Sequence, residues 1–370
     1  MDFEITFEDE YLGTLSKTEI EYFAYFCSLL RITASCKLLL KSIDTSKINK
    51  LKVGTPFTVK FYGEEESYEN KMKIFSIDKK ESSGLVEYIK ILAISPLFFD
   101  KNESTQAYEG SVSQIVNTML KKELKDIKST EIETTEDIGR IRYRISEEPL
   151  DFLTRILKYG NIGNNPVYIY FDAKGKFNLK GVESLKSSNP RYISIPFLAD
   201  KENIKIEQED SIQKITMMSY SLGTNKESKI SKVNSIFTTE LFKSPDDIET
   251  EVTSNSVQEN NASVYTSYPT RTDYYDWYVC PNDAKSIAVK RNFEELGAFQ
   301  ILQATYSGFL IKELDLGLLH YFVLPYTPTE KSSNGADVNS GEGLYMVRDT
   351  MYIFENGATR TNATLLQVGY

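Results

Sequence analysis

Alternating apolar and polar positions dominate the first hundred residues and predict a series of short β-strands. The runs with this pattern, or with β-type composition and partial alternation, are residues 31–40, 57–62, 71–78 and 86–94. Turn-forming residues separate them, as in Val53-Gly54-Thr55-Pro56. We therefore expect a small antiparallel β-barrel or sandwich over residues 1–100, with a short helix near residues 17–28.

The periodicity becomes helical after residue 101. Apolar residues at 112, 115, 116, 119 and 120 predict a helix over residues 110–120, with Ser111 as its N-cap. A second helix is predicted over residues 149–159, because Pro149 lies near its start and Gly160 just beyond its end. Strand-like runs then flank Asp172-Ala173-Lys174-Gly175 and indicate a β-hairpin. Residues 101–200 are therefore expected to form a compact α+β insertion.

Strand character returns at residues 203–208 and 212–220, and a long polar stretch follows at 223–283. This stretch, especially residues 243–263, is typical of a long loop or a weakly ordered excursion. A helix is expected from Pro281 to about Gln300, because apolar positions recur there at helical spacing.

The end of the chain predicts an antiparallel sheet. An apolar run at residues 316–324 precedes two further runs at 344–354 and 359–367, which Glu355-Asn356-Gly357 joins. Asn-Gly between alternating segments is a strong signal for a β-hairpin. The predicted fold is α+β, mainly β, with two small antiparallel β-barrels that each carry an inserted segment. The expected domains are a first barrel at 1–100, the insertion at 101–200, a second barrel at 201–222 with 284–370, and a polar excursion at 223–283.

Composition narrows the class of protein. A length of 370 residues predicts about two to four domains, and 24 Tyr and 20 Phe favour β-structure. The net charge of −10 argues against a nucleic-acid binder and against docking on anionic lipid. No signal-peptide pattern or apolar stretch of about 20 residues is present, so we expect a soluble protein made inside a cell. Cys27, Cys36 and Cys280 have no metal-ligand spacing and are interpreted as reduced thiols.

Candidate chemistry is sparse. His320, the single histidine, lies within an apolar run and is interpreted as a packed residue of a sheet. No phosphate-binding glycine motif occurs, so nucleotide use has no support. Acidic clusters that could supply a hydrolase, although exposed turns explain them more simply, are Glu64-Glu65-Glu66 and the group Glu131, Glu133, Glu136 and Asp137.

The aromatic segment Tyr274-Tyr275-Asp276-Trp277-Tyr278 could stack on a sugar or a base, but it is more typical of a hydrophobic plug or a subunit contact. We therefore expect no catalytic, cofactor-binding or metal-binding residues and no enzymatic activity.

Residues 145–157, with the sequence ISEEPLDFLTRIL, resemble the strand, acidic turn and x-D-F-L-x-R-I/L helix of phage tail-hub proteins. The same motif occurs in the valine–glycine-repeat spike proteins of type VI secretion. Further segments with hub-like sequence and order are residues 53–54 before 57–62, 73–78, 86–94, 283–297, 314–317 (without the proline often found there), 343–347 and 363–366.

This resemblance implies a homotrimeric hub at the centre of a contractile-tail baseplate, located in the virion after synthesis in the host cytoplasm. Two barrels per chain would adapt a sixfold tail tube to a threefold central spike. The implied partners are further copies of the chain, the spike, the tube or tube-initiator protein and other baseplate proteins. DNA would pass through the lumen only in transit, and a lumen lined by part of the acidic charge would repel it. No cofactor and no stable membrane insertion are implied.

Three alternatives stay open at the level of sequence. The first is the hub region of a tail-associated lysin of a non-contractile tail. The second is a cell-wall or glycan hydrolase that uses carboxylates such as Glu131 and Glu136 together with the aromatic residues at 274–278. The third is a receptor-binding tail protein. The hydrolase predicts turnover of polysaccharide, and the receptor-binding protein predicts binding to a host surface.

Overall fold

The computed structural model describes most of the N-terminal half of the chain, two C-terminal segments and several strands between them. The described residues are 2–9, 12–42, 50–63, 66–80, 87–95, 104–122, 127, 129–137, 139–163, 165–186, 190–192, 205–207, 214–221, 226–233, 251–253, 270–275, 301–322 and 343–369.

Strands predominate among the described residues. The strands are β1 Asp2–Phe7, β2 Ile20–Ser28, β3 Ser35–Ser42, β4 Pro56–Tyr62, β5 Ser67–Lys80, β6 Glu87–Ile94, β7 Ser104–Gly110, β8 Thr130–Ile132, β9 Arg140–Glu147, β10 Asn161–Ile162, β11 Asn165–Phe171, β12 Phe177–Gly181, β13 Arg191–Tyr192, β14 Lys205–Glu207, β15 Lys214–Ser221, β16 Lys226–Val233, β17 Glu251–Thr253, β18 Thr270–Tyr275, β19 Ile301–Ser307, β20 Leu319–Phe322, β21 Gly343–Glu355 and β22 Ala358–Gly369. The helices are α1 Val112–Lys122, α2 Pro149–Leu157 and α3 Val182–Lys186.

Most strands belong to one extended sheet with the order β1-β4-β5-β6-β3-β2-β21-β22-β19-β14, in which β20 also pairs with β21. It curls into two half-barrels, one built from β1–β6 and the other from the C-terminal strands. The predicted fold class, mainly β with two barrel-like sheets, is confirmed. The two half-barrels are continuous, because β2 pairs with β21 over the register Tyr22↔Glu355 to Ser28↔Asp349.

The half-barrels share one apolar core. Phe309, which follows β19, is 2% exposed, and its ring lies 5.6 Å from that of Phe61 in the first half-barrel. The same ring lies 5.9 Å from Tyr352 in the second half-barrel and 5.8 Å from Phe3. Edge-to-face and tilted aromatic pairs of this kind each contribute about 1 kcal/mol beyond the area that they bury. Both halves therefore depend on the same cluster of rings.

The helix expected near residues 17–28 is wrong, because Ile20–Ser28 forms strand β2. This strand is central, with β3 on one side and β21 on the other. Phe23, Ala24 and Tyr25 are all buried, so both of its faces are covered and the alternation expected of a half-exposed strand is absent. Its aromatic-rich sequence favours this extended form.

The loop expected over residues 223–283 is wrong for three segments, because β16, β17 and β18 lie within it. They pair with β15 in a four-stranded sheet of order β17-β16-β15-β18, in which β15 and β18 are parallel. Polar side chains do not prevent backbone pairing, so composition alone did not reveal these strands. The rest of 243–263 and the helix expected at 281–300 lie outside the described residues.

Several local predictions are confirmed. Helices α1 and α2 are confirmed, as is the hairpin of β11 and β12. The closing hairpin of β21 and β22 turns at Asn356 and Gly357, which have φ of 52° and 78°, as a two-residue turn with left-handed backbone requires. The run at 316–324 is only partly a strand, since β20 spans Leu319–Phe322 and a turn precedes it.

Candidate assembly surfaces

The turn between β11 and β12 is organised by one carboxylate. The Asp172 Oδ1 atom accepts hydrogen bonds from the backbone N–H groups of Lys174 (3.0 Å) and Lys176 (2.9 Å), and Asn178 Nδ2 donates to Oδ2 at 3.0 Å. Aspartate commonly fixes a turn through such bonds to backbone groups two residues further on. The hairpin itself was predicted from the sequence, but the position of its tip was not.

The hairpin tip docks against the first half-barrel. Asn70 on β5 is 2% exposed, and its Nδ2 group donates to the carbonyl oxygen of Ala173 at 2.9 Å. Its Oδ1 atom accepts a hydrogen bond from the Tyr25 hydroxyl, also at 2.9 Å. Gly175 approaches the Glu69 carbonyl so closely that a Cβ atom would lie 2.3 Å from that oxygen. The insertion is thus held to β5 by buried polar contacts.

The same hairpin also reaches the C-terminal part of the chain. Lys174 Nζ lies 2.5 Å from Oδ2 of Asp315, and Asp315 belongs to the turn before β20. Burial, and next the charge of Asp315, raise the pKa of Asp172 to about 6. The first half-barrel, the insertion and the second half-barrel therefore meet at one charged cluster. Because each charged group of this cluster has a hydrogen-bond or ion-pair partner, the cluster connects these three parts of the fold.

The carboxylates that could have supplied a hydrolase serve the fold of the insertion. Glu131 forms ion pairs with Lys176 and with Lys180, the latter at 2.9 Å, and hydrogen bonds from these two lysines lower the pKa of Glu131. Glu133 accepts a hydrogen bond from Gly181 N at 2.8 Å. A general acid needs a raised pKa, so Glu131 is poorly suited to that role.

The other two members of that acidic group also bond to backbone N–H groups. Glu136 Oε2 accepts from Gly163 N at 2.8 Å. Both carboxylate oxygens of Asp137 accept from Val112 N, at 3.2 and 3.1 Å, and thereby cap helix α1. Burial raises the pKa of Asp137. The predicted N-cap Ser111 has a different arrangement, since its N–H donates to Gln114 Oε1 and its hydroxyl pairs with another serine.

The other acidic, histidine and aromatic candidates that the structure describes lie on three separate segments of the chain. His320 is 1% exposed in β20, opposite Tyr345, which agrees with its interpretation as a packed sheet residue. Glu66 accepts a hydrogen bond from the Tyr68 hydroxyl at 2.7 Å. Tyr274 and Tyr275 belong to β18. The candidates outside the described residues are Glu64, Glu65, Asp276, Trp277, Tyr278 and Cys280.

Cys27 and Cys36 are buried free thiols, and burial raises the pKa of each, which disfavours the reactive thiolate. Across the described ranges, no three His, Cys, Asp or Glu residues are grouped so that they could hold a metal ion. Within the same ranges, no helix has the length and apolar character needed to span a membrane.

An exposed apolar surface lies on β9, and we call Ile141, Tyr143 and Ile145 the β9 ridge. These side chains are 55%, 55% and 66% exposed. The intervening arginines face inward: Arg144 is fully buried, and the Arg142 guanidinium lies 4.2 Å from the centre of the Tyr159 ring. This inverts the usual pattern of apolar residues inside and charged residues outside. Exposed apolar groups that adjoin one another in this way make the β9 ridge a candidate interaction surface.

The backbone that carries the ridge is held firmly. Strand β9 pairs with β7, and Arg155 Nη2 donates to the Tyr143 carbonyl at 2.7 Å while it also binds Glu147 at 2.8 Å. Ser146, just beyond the ridge, has φ of 46°, an uncommon conformation for a residue with a side chain. This surface was not predicted from the sequence, although the alternation of three arginines with apolar residues in RIRYRISE was a signal for it.

Solved structures of phage tail proteins share this fold over nearly their whole length. The tail protein from Neisseria meningitidis MC58 superposes with a TM-score of 0.63 at 12% identity, over 99% of this chain and 97% of that one. The 43 kDa tail protein of prophage MuSo2 from Shewanella oneidensis gives 0.62 at 10% identity, over 99% and 98%.

A third structure comes from a secretion system. The E. coli c3393 protein, a component of the type VI secretion system with structural similarity to T4 bacteriophage tail proteins gp27 and gp5, gives a TM-score of 0.54 at 10% identity, over 100% of this chain and 79% of that one. The chain therefore has the fold of a phage tail protein, and the resemblance inferred from its sequence is confirmed at that level. By sequence, no family model and no curated protein matches it.

Proposed function

We propose that this protein is the structural hub at the centre of a phage tail baseplate, located in the virion. The observation that carries the proposal is the likeness to two tail proteins over 97–98% of their length as well as 99% of this chain. A match of this extent includes the half-barrels and the insertion together, so it is not a likeness of one common β-module.

The proposed assembly is a homotrimer with its barrels arranged around a lumen. Each chain would supply two barrel domains, at 1–100 and at 201–222 with 284–370, and so three chains would supply six. This number would let a threefold spike meet a sixfold tube. The continuous β2–β21 pairing supports the proposal, because it fixes the two half-barrels of one chain in a single rigid sheet. The proposed partners are the spike, the tube or its initiator and other baseplate proteins, with DNA only in transit.

We propose a mechanical role without bond chemistry. Each of the four carboxylates at 131–137 bonds to a lysine or to a backbone N–H group, so their contacts are those of residues that hold this part of the fold together. The proposed role of the protein is to hold the neighbouring tail proteins in fixed relative positions while the tail changes conformation.

Mass in solution tests the proposal. Purified protein should run as a trimer, about three times the chain mass of 42.3 kDa, by light scattering after size-exclusion chromatography. It should also co-purify with the spike and tube proteins of the same tail. A stable monomer that binds neither protein would refute the hub, and turnover of peptidoglycan would refute the proposed absence of chemistry.

A further inference from the structure

A second exposed apolar surface lies on the outward face of the first half-barrel. Phe75 and Leu92 are 46% and 36% exposed, and they lie side by side because Ser76 pairs with Leu92 at a bulge in β5. Lys37 lies directly opposite Leu92 on β3, and Lys73 on β5 is opposite the next outward residue of β6. We call this surface the β5–β6 face, an apolar centre with a basic border.

The β9 ridge has a border of the opposite charge. Glu109 on β7 is exposed and pairs with Ile141 at one end of the ridge. Glu148 and Asp151 lie beyond the other end, where they line a shallow depression together with Tyr143 and Ile145. Glu147 in the same depression is already paired with Arg155, so the border keeps an excess of negative charge.

We propose that the β9 ridge of one chain packs on the β5–β6 face of a second copy of the chain. Apolar centres would be buried against each other while acidic and basic borders meet, an arrangement that gives specificity and speeds association. The two surfaces differ, so the contact is head-to-tail, and repeated contacts close into a ring when the rotation between copies permits. This inference rests on the proposed trimeric hub and assigns its subunit contact.

A pair of complementary variants tests the assignment. Tyr143→Glu disables the ridge and Phe75→Glu disables the β5–β6 face, so each variant alone should be monomeric by light scattering. Mixed together, they retain one intact contact, formed by the ridge of the Phe75→Glu chain and the face of the Tyr143→Glu chain. The mixture should therefore form a 1:1 dimer that grows no further. An interface between identical surfaces would give no such rescue.

Two safeguards keep the test decisive. Leu30→Glu places the same charge at another apolar side chain, 54% exposed in the turn after β2, and should remain trimeric. If the circular dichroism of Tyr143→Glu departs from that of the wild type, Ile145→Glu replaces it. Leu92→Glu replaces Phe75→Glu in the same way. The assignment is overturned if the variants stay trimeric, if the mixture stays monomeric or if Leu30→Glu dissociates equally. If all ridge variants remain trimeric, the proposed subunit contact is wrong but the proposed trimeric hub is not contradicted. If the wild type is monomeric, both proposals are wrong.

Discussion

Lys174 and Asp315 form an ion pair with 2.5 Å between Nζ and Oδ2, although 141 positions of sequence separate them. Lys174 lies in the β11–β12 turn and Asp315 in the turn before β20. The adjoining Ala173 carbonyl accepts the hydrogen bond from Asn70 of the first half-barrel. One four-residue turn therefore connects three parts of the fold, and perturbing it should affect all of them together.

Asp172 within this turn should make stability depend on pH. Burial, followed by the charge of Asp315, raises its pKa to about 6 from 3.8. Between these values the native chain holds more protons than the unfolded chain. The contribution of Asp172 is therefore fully present below about pH 4 and is lost as pH rises through about 6, by up to about 3 kcal/mol.

Urea unfolding of wild type and Asp172→Asn at pH 4 to 7 measures this contribution, because titrating groups that do not interact with Asp172 cancel in the difference between the two proteins. Asp315→Asn should show a smaller dependence than wild type, since it removes the second cause of the raised pKa and leaves burial. A difference between wild type and Asp172→Asn that is flat over this range would contradict the prediction.

Gly175 should tolerate no side chain, for two separable reasons. Its φ of +77° disfavours any residue with a Cβ atom, and that atom would lie 2.3 Å from the Glu69 carbonyl oxygen. Gly54 has a similar φ of +87° but open space around it, so Gly54→Ala measures the backbone cost alone, about 1–2 kcal/mol. Gly175→Ala should cost at least about 2 kcal/mol more in chemical unfolding. Equal losses would mean that the hairpin tip does not press on β5.

Local pattern predicted the strands and helices of this chain better than it predicted their partners. Asn356-Gly357 specifies its own hairpin, and Pro149 with Gly160 bounds α2, because these signals act within a few residues. The β2–β21 pairing joins segments more than three hundred residues apart, so no local period encodes it. Strand β9 was obscured for another reason: Arg144 is buried and Arg142 stacks on the Tyr159 ring, which only the surrounding fold can provide.

Asn70 should contribute more than an average hydrogen-bonding residue, because it serves two buried groups. Asn70→Ala leaves the Ala173 carbonyl without this donor and leaves the Tyr25 hydroxyl dependent on its contact with the Cys27 thiol, and we expect a loss of about 2–4 kcal/mol in the free energy of unfolding. Tyr25→Phe removes the hydroxyl in advance. The double variant should therefore be less unstable than the sum of the single variants. Strict additivity would indicate that the Cys27 thiol satisfies the hydroxyl once Asn70 is removed.

The stability of the start of helix α1 should depend more on Asp137 than on Ser111. Asp137 lies 25 positions after the first residue of the helix, whereas Ser111 directly precedes it. Both Asp137 oxygens accept from Val112 N, whereas the Ser111 hydroxyl bonds to Ser113 Oγ. Asp137→Ala should therefore destabilise the helix start by about 1–2 kcal/mol, the usual value of a lost cap, and Ser111→Ala by less. Amide hydrogen exchange of the segment that contains Val112 and Ser113 reads this locally. Asp137→Asn keeps an acceptor and should be intermediate. If Ser111→Ala increases exchange as much as Asp137→Ala, the cap is the local one that sequence predicts, and the carboxylate is dispensable.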